Sequence, residues 1–270
     1  MKKYAVILAA VALTPLHAVA QDQSSRSHDG WGFSVGTGFI VSPSYIGDDD
    51  YQISVVPNIR VTYEDTFFAS VQEGAGYNVV NGEHWRVGPV VRYDFGRDDD
   101  GSNTFSVSDD TNDLRGLGDV DGTVELGAFM KYNMKPFSAK LELLQGLGGH
   151  EGLVGEASLE YSGRAHIMQQ PIMYSFGPDI KFADSNYHNA YFGVDANQAT
   201  ASGLAQYDAD AGILSYGLSG AVIVPVTDNV STILFANYSK LGEQSAESSL
   251  VEQRGSEDQG SLGLFVNYSF

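Results

Sequence analysis

The sequence predicts an all-β fold: a transmembrane, antiparallel up-and-down barrel with a polar lumen and an apolar, lipid-facing exterior, of about twelve strands with ten as the alternative. Three observations predict it. Apolar and polar residues alternate with a period of two over many long segments, the N-terminal residues have the form of an export signal, and the last residues form an alternating strand that stops on Phe270.

A period of two marks an extended strand, because successive side chains leave opposite faces. In residues 51–64, YQISVVPNIRVTYE, Tyr51, Ile53, Val55, Pro57, Ile59, Val61 and Tyr63 alternate with Gln52, Ser54, Asn58, Arg60, Thr62 and Glu64, and only Val56 breaks the pattern. Residues 85–95 place Trp85, Val87, Pro89, Val91, Tyr93 and Phe95 opposite Arg86, Gly88, Arg92 and Asp94. Residues 124–134 set Val124, Leu126, Met130 and Tyr132 against Glu125, Lys131 and Asn133. The rule continues through 137–143, with Lys140 and Glu142 as the polar set, and 153–161, with Glu156, Ser158 and Glu160. Met168, Ile172, Tyr174, Phe176, Ile180 and Phe182 share the next apolar face, and Leu214, Tyr216, Leu218, Val222 and Val224 the one after.

Short polar turns separate some of these runs, at Glu64-Asp65-Thr66, Asn81-Gly82, Met134-Lys135-Pro136 and Thr227-Asp228-Asn229. Long segments rich in Gly, Ser, Asp, Glu and Asn, residues 96–122, 183–212 and 242–260, separate others. Such alternation suits an up-and-down barrel with two unlike ends. A soluble barrel of about eight strands would fill its interior with side chains or one small ligand. About eleven strands can be counted here, so the polar face is expected to line a wider, hydrated lumen. The candidate lining residues are Arg60, Arg86, Arg92, Glu125, Lys131, Lys140, Glu142, Glu156, Glu160 and Lys181. Single-chain bacterial barrels have an even strand number, and residues 187–196, YHNAYFGVDA, are the best candidate for the twelfth strand.

Residues 1–20, MKKYAVILAAVALTPLHAVA, combine two lysines, an apolar run too short to span a bilayer and an A-x-A site, the arrangement of a cleaved signal peptide. Residues 21–270 then form one barrel domain exported through the periplasm to the bacterial outer membrane. With no cysteine there is neither a disulfide nor a lipidated cysteine. The formal charge of −19 argues against nucleic acid and anionic surfaces as partners. The inward charges roughly balance, so the excess acidity falls in the loops.

Little in the sequence speaks for chemistry. Asp48-Asp49-Asp50, Asp98-Asp99-Asp100 and Asp109-Asp110 lack the ligand alternation of an EF-hand and are read as solvated loop tips, weak divalent bridging of loops or lipopolysaccharide being the other reading. His150 and Glu151 are accompanied by no Gly-x-Ser-x-Gly elbow and no H-E-x-x-H spacing. No catalytic residue, metal ligand or cofactor is expected.

Several motifs resemble, in order along the chain, the MltA-interacting protein (MipA/OmpV) family of Gram-negative outer membranes. They are Pro43-Ser44-Tyr45-Ile46-Gly47, Gly96-Arg97, Leu114-Arg115-Gly116-Leu117-Gly118-Asp119-Val120, Gly149-His150-Glu151-Gly152, Tyr191-Phe192-Gly193-Val194 with Gln198-Ala199, Tyr238 with Leu241, and Tyr268-Ser269-Phe270. Glu247-Ser248-Ser249-Leu250-Val251 departs from the Asp-Ser-Pro-like stretch the family often shows. The resemblance implies a scaffold, without enzyme activity, that brings a lytic transglycosylase together with a bifunctional murein synthase. The alternating strand that stops on Phe270 is similar to the terminal strand recognised by the outer-membrane barrel assembly machinery, which is the expected partner during biogenesis, with outer-membrane lipid and lipopolysaccharide as surroundings. A small-solute channel and an adhesin-like surface barrel stay open beside the scaffold.

Overall fold

A computed structural model describes residues 30–270 apart from 102–104 and 109–110. The expected leader, residues 1–20, and the pair Asp109-Asp110 lie outside the described residues. The strands are β1 (Trp31–Pro43), β2 (Tyr51–Tyr63), β3 (Phe67–Ser70), β4 (Gly74–Tyr77), β5 (Val80–Asn81), β6 (Trp85–Asp94) and β7 (Thr123–Met134). There follow β8 (Phe137–Leu147), β9 (Leu153–Ile167), β10 (Gln170–Ala183), β11 (Gly212–Pro225), β12 (Val230–Leu241) and β13 (Asp258–Ser269). Neighbours pair antiparallel, β1 pairs β13, and β4 pairs β6 through Ala75↔Val91 and Gly76↔Val90, which closes a ring of twelve with β5 as a two-residue extra strand on β6.

The alternation sets the faces. Phe39, Ile53, Leu126, Leu143, Phe176 and Leu264 are exposed on the outside, an apolar surface too extensive for water. Aromatic residues gather at both rims of this band: Trp31 with Tyr63 and Phe67, Trp85 with Tyr132, and Phe137 with Tyr161 at one, and Tyr51, Tyr93, Tyr216 and Tyr238 at the other. That is the girdle arrangement of a barrel seated in a bilayer.

Inside, the two halves differ. Charged residues line β6 to β10, while Ile40, Val56, Ala221, Ile223, Ile233, Phe235 and Phe265 form a buried apolar cluster across β1, β2 and β11 to β13. Val56, the one break in the alternation of residues 51–64, belongs to this inner cluster. Because β3 and β4 are short, the wall beside the far half of β2 is completed by a loop segment. Val55 N–H donates to the Phe105 carbonyl and Val107 N–H to that of Ile53, both at 2.8 Å.

The two ends are unlike. One has short turns at residues 64–66, 135–136, 168–169 and 226–229, with Gly30 and Phe270 close by; the other carries the long segments between β1 and β2, β6 and β7, β10 and β11, and β12 and β13. In these segments lie α1 (Ser185–Phe192), α2 (Ala196–Ser202), α3 (Glu243–Ala246) and α4 (Ser249–Arg254).

Three details correct the sequence reading. Residues 187–196 are not a strand. They fall largely in α1, where Tyr187/Tyr191 and His188/Phe192 repeat at four-residue spacing and the Asp184 carboxylate accepts the Tyr187 N–H at 3.0 Å. Leu214 does not face outward. The register shifts between Lys181↔Ser215 and Phe182↔Ile213, and this bulge turns Leu214 into the interior at 4% exposure. Met168 sits in the β9–β10 turn at positive φ, 96% exposed, rather than on a strand face.

Candidate functional site

The helices and loops of the long-loop end fold inward as a plug. Tyr187, Tyr191 and Phe192 of α1 and Val251 of α4 pack against Val90, Phe129, Leu144, Val154, Leu214 and Leu241 of the wall. A second cluster, Tyr45, Leu114, Leu117, Val194, Leu204 and Leu250, joins four separate segments above it. Polar ties fix the same elements. Ser248 Oγ donates to the Phe192 carbonyl at 2.6 Å, Gln198 Nε2 to that of Leu117 at 2.5 Å, and Arg97 Nη1 to that of Tyr191 at 2.7 Å. Tyr191 Oη donates to Asp94 Oδ1 at 2.8 Å, joining the plug to the end of β6.

The family-motif residues named from the sequence lie at this end, except Tyr268-Ser269-Phe270, which finish β13 at the short-turn end. Pro43 ends β1; Tyr45 donates its hydroxyl to the Arg254 carbonyl at 3.1 Å. Gly47, at φ +103°, donates its N–H to Gln259 Oε1 at 3.1 Å, and a Cβ there would meet Val251 at 2.7 Å. Gly96, at φ +72°, lets Arg97 and Val120 exchange backbone hydrogen bonds of 2.9 and 2.7 Å; a Cβ would lie 1.9 Å from the Val120 carbonyl oxygen. Gly116 abuts α2, Gly118 keeps a positive φ, Asp119 Oδ1 accepts the Asp99 N–H at 2.8 Å, and Gly193 ends α1 behind the fully buried Phe192.

The candidate lining residues sit below, all buried or half-buried. Arg92 Nε donates to Glu125 Oε2 at 2.9 Å and its Nη1 to Glu142 Oε1 at 3.1 Å, and Lys140 Nζ reaches Glu142 Oε2 at 3.1 Å. His150 joins this chain. Its Nδ1 accepts the Gly152 N–H at 3.0 Å, which leaves the proton on Nε2, 3.4 Å from Glu125 Oε1. Lys131 stands opposite both Arg86 and Lys140 in the register and is drawn by Glu160, while Glu156 stands between Glu142 and Lys181. Arg60 pairs with Glu73, and Arg86 with Asp65 at 3.4 Å near the turn end. A cavity of about 300 Å³ separates plug from wall, bounded by Tyr45, Arg97 and Tyr191 above and Arg92, Glu142 and Glu156 below.

Sequence reasoning missed Asp94, His188, Ser248, Arg254 and Gln259, which anchor the plug. A signal for the helices existed in Asp195-Ala196-Asn197-Gln198, a capping box in which the Asp195 carboxylate accepts the Gln198 N–H at 2.8 Å and Gln198 Oε1 accepts the Asp195 N–H at 2.8 Å. In the plug, burial raises the hydroxyls of Tyr45, Tyr187 and Tyr191, so they remain protonated donors. Burial also lowers Arg97 and pushes the Asp48 carboxyl up to about 6.

His188 gives the plug a pH dependence. Its Nδ1 lies 3.0 Å from the Asp184 carbonyl oxygen, its Nε2 is buried without a partner among the described residues, and burial holds its pKa below the ordinary 6.5 against a weaker pull from Asp184. A depressed folded-state value means stability that is present above pH 6.5 and lost as pH falls through the depressed pKa. Amide-exchange protection of residues 184–193, corrected for intrinsic rates, is expected to decline on acidification below that pH. His188→Leu should flatten the decline; an equal decline in the variant would rule His188 out.

A closed barrel with an apolar, aromatic-girdled exterior, a charged inner wall and an inward-folded plug defines a plugged membrane barrel. The model of the MltA-interacting protein MipA family matches residues 35–270, and the chain belongs to that family of outer-membrane barrels. A 91-residue stretch is 33% identical to outer membrane protein OmpV of Vibrio cholerae serotype O1, and the match spans 34% of this chain and 34% of that relative. Among solved structures, the NanC porin is similar at TM-score 0.39 and 10% identity, covering 87% of this chain and 98% of its own. A bacterial polysaccharide outer membrane secretin is similar at TM-score 0.43 and 8% identity, covering 90% and 98%. Likeness at those scores adds nothing to the fold already described.

Proposed function

We propose that the protein is a closed outer-membrane scaffold, which holds surfaces for partner proteins at the membrane and does not pass solute. One observation carries this reading: inward-facing side chains on both halves of the wall are shut off from solvent, Ile40 at 0%, Glu125, Phe235 and Phe265 at 1% and Lys131 at 7% exposure. An open aqueous lumen would wet them. The partners proposed are a murein-degrading lytic transglycosylase and a bifunctional murein synthase, in keeping with the family's description as MltA-interacting. Barrels of this class place short turns in the periplasm and long loops outside. Murein enzymes would accordingly meet the turn end, and the plug would face out among lipopolysaccharide.

Crosslinking in intact cells followed by gentle solubilisation is expected to recover both murein enzymes above the level captured by an unrelated barrel. The purified protein in planar bilayers is expected to show no stepwise conductance. Recovery of assembly factors and lipopolysaccharide alone overturns the scaffold, and steady conductance would put a small-solute channel through the 300 Å³ cavity in its place.

A further inference from the structure

We infer that Asp48, Asp49 and Asp113 form a divalent-cation site of the calcium class, in which the ion clamps the β1–β2 loop to the β6–β7 loop on the outer side of the plug. One carboxylate oxygen from each of the three lies within 4.8 Å of the others. Proximity of acids is common on surfaces. What sets this cluster apart is Asp48, which has 0% exposure and whose Oδ2 has no hydrogen-bond partner among the described residues. Its other oxygen accepts the Asp50 N–H at 3.1 Å.

The backbone leaves Asp48 little room to turn away. Its N–H donates to the Tyr45 carbonyl at 3.1 Å, its own carbonyl accepts from Gln259 Nε2 at 3.2 Å, and it bridges to Gly255. Asp113 and Asp50 act on Asp48 as like charges, against hydrogen bonds from the Asp50 N–H and the Ser44 hydroxyl, and no cationic side chain among the described residues offsets them. Arg254 reaches the same region, but its guanidinium donates to the carbonyl oxygens of Asp113 and Ser202. A buried carboxylate crowded by two further carboxylates is stabilised by a cation between them.

The donor set selects the kind of cation. All three ligands are carboxylate oxygens, which suit hard ions and not the metals that favour imidazole or thiolate. Asp49 is exposed and Asp113 half-buried, so water can complete the six to eight oxygens that calcium takes. Ligands from two loops far apart in sequence suit calcium's flexible shell better than the strict octahedron of magnesium. The interior group of Asp94, Glu125 and His150 makes the contrast: there the Arg92 guanidinium already supplies positive charge to Glu125 and the Tyr191 hydroxyl a hydrogen bond to Asp94, and no ion is called for.

The test uses the full-length protein in detergent, stripped with EDTA and titrated with calcium chloride by calorimetry. Saturable binding of one ion is expected, in the range of about 10⁻⁴ to 10⁻³ M found for extracellular modules. Asp49→Asn and Asp113→Asn, which alter exposed or half-buried groups and leave the fold intact, should each weaken it about tenfold, and Asp48→Asn should abolish it. Asp208→Asn, in the α2–β11 loop, should leave it unchanged. Calcium should also slow trypsin cleavage at Arg115 in the wild type and not in Asp113→Asn. Absence of binding at 10 mM calcium (about tenfold above the expected range), or equal binding by the wild type and the Asp49 and Asp113 variants, overturns the site.

Discussion

Replacing Arg92 with leucine is expected to destabilise the barrel by about 3–5 kcal/mol. The guanidinium is the shared partner of two carboxylates, and their side chains are only 2% and 8% exposed, for Glu125 and Glu142, while that of Arg92 is 27% exposed. An exposed pair would be worth less than about 1 kcal/mol. Here the leucine would leave desolvated Glu125 with only the long His150 Nε2 contact at 3.4 Å, and Glu142 would keep only Lys140. Arg92→Lys retains the charge but cannot reach both acids with a planar fork, and should fall between. Adding Glu125→Gln to Arg92→Leu should restore part of the loss, because it removes the stranded charge. Urea unfolding of the reconstituted protein, followed by tryptophan fluorescence, measures all three. A loss under about 1 kcal/mol for Arg92→Leu would place the cluster in solvent, contrary to the burial on which the closed lumen rests.

Phe192→Ala is expected to release the plug while the wall stands. Phe192 is 0% exposed, its ring lies 6.2 Å from that of His188, its carbonyl accepts the Ser248 hydroxyl, and its edge is 3.6 Å from where a Gly47 Cβ would be. Truncation of such a residue costs about 3–5 kcal/mol. The plug is held by short helices and isolated ties and the wall by continuous ladders, so the cost should fall on the plug as local unfolding. Protease should then cut within residues 184–211 while the strands stay protected, and planar bilayers should show conductance absent from the wild type. Simultaneous loss of plug and wall would show that they form one cooperative unit.

The wall was legible in the sequence because its signal is repetitive. Long strands such as β2, β7 and β13 expose one face to an apolar surrounding, and every second residue reports it. The pattern gave no warning of β3 and β4, four residues each, where a period cannot declare itself. Leu214 was misplaced because a bulge shifts the phase without changing composition. The charged residues of β6 to β9 could be assigned to the interior by phase alone, but nothing in phase says that Arg92 reaches two strands away to Glu142. The plug was the least legible part. Its helices run from four to eight residues, and they are ordered by contacts such as Ser248 with Phe192 and Arg254 with Asp113 that no local pattern encodes. The family motifs marked where it lies without saying what its residues hold.

Because β1 pairs with β13, the ring closes between the most distant parts of the described chain. The tethers over that joint are equally long in sequence: Gly47 to Gln259 spans 212 residues and Tyr45 to Arg254 spans 209. The remaining neighbours can zip up as local hairpins, whereas this joint carries the largest loop-closure entropy and the highest contact order. On that ground it is expected to be the last part of the circle to form. The Tyr45 and Gly47 anchors, which straddle it, cannot be set before then. An ordered plug is in this sense a latch on finished biogenesis, and a barrel whose seam has not met would show the cell an unlatched mouth.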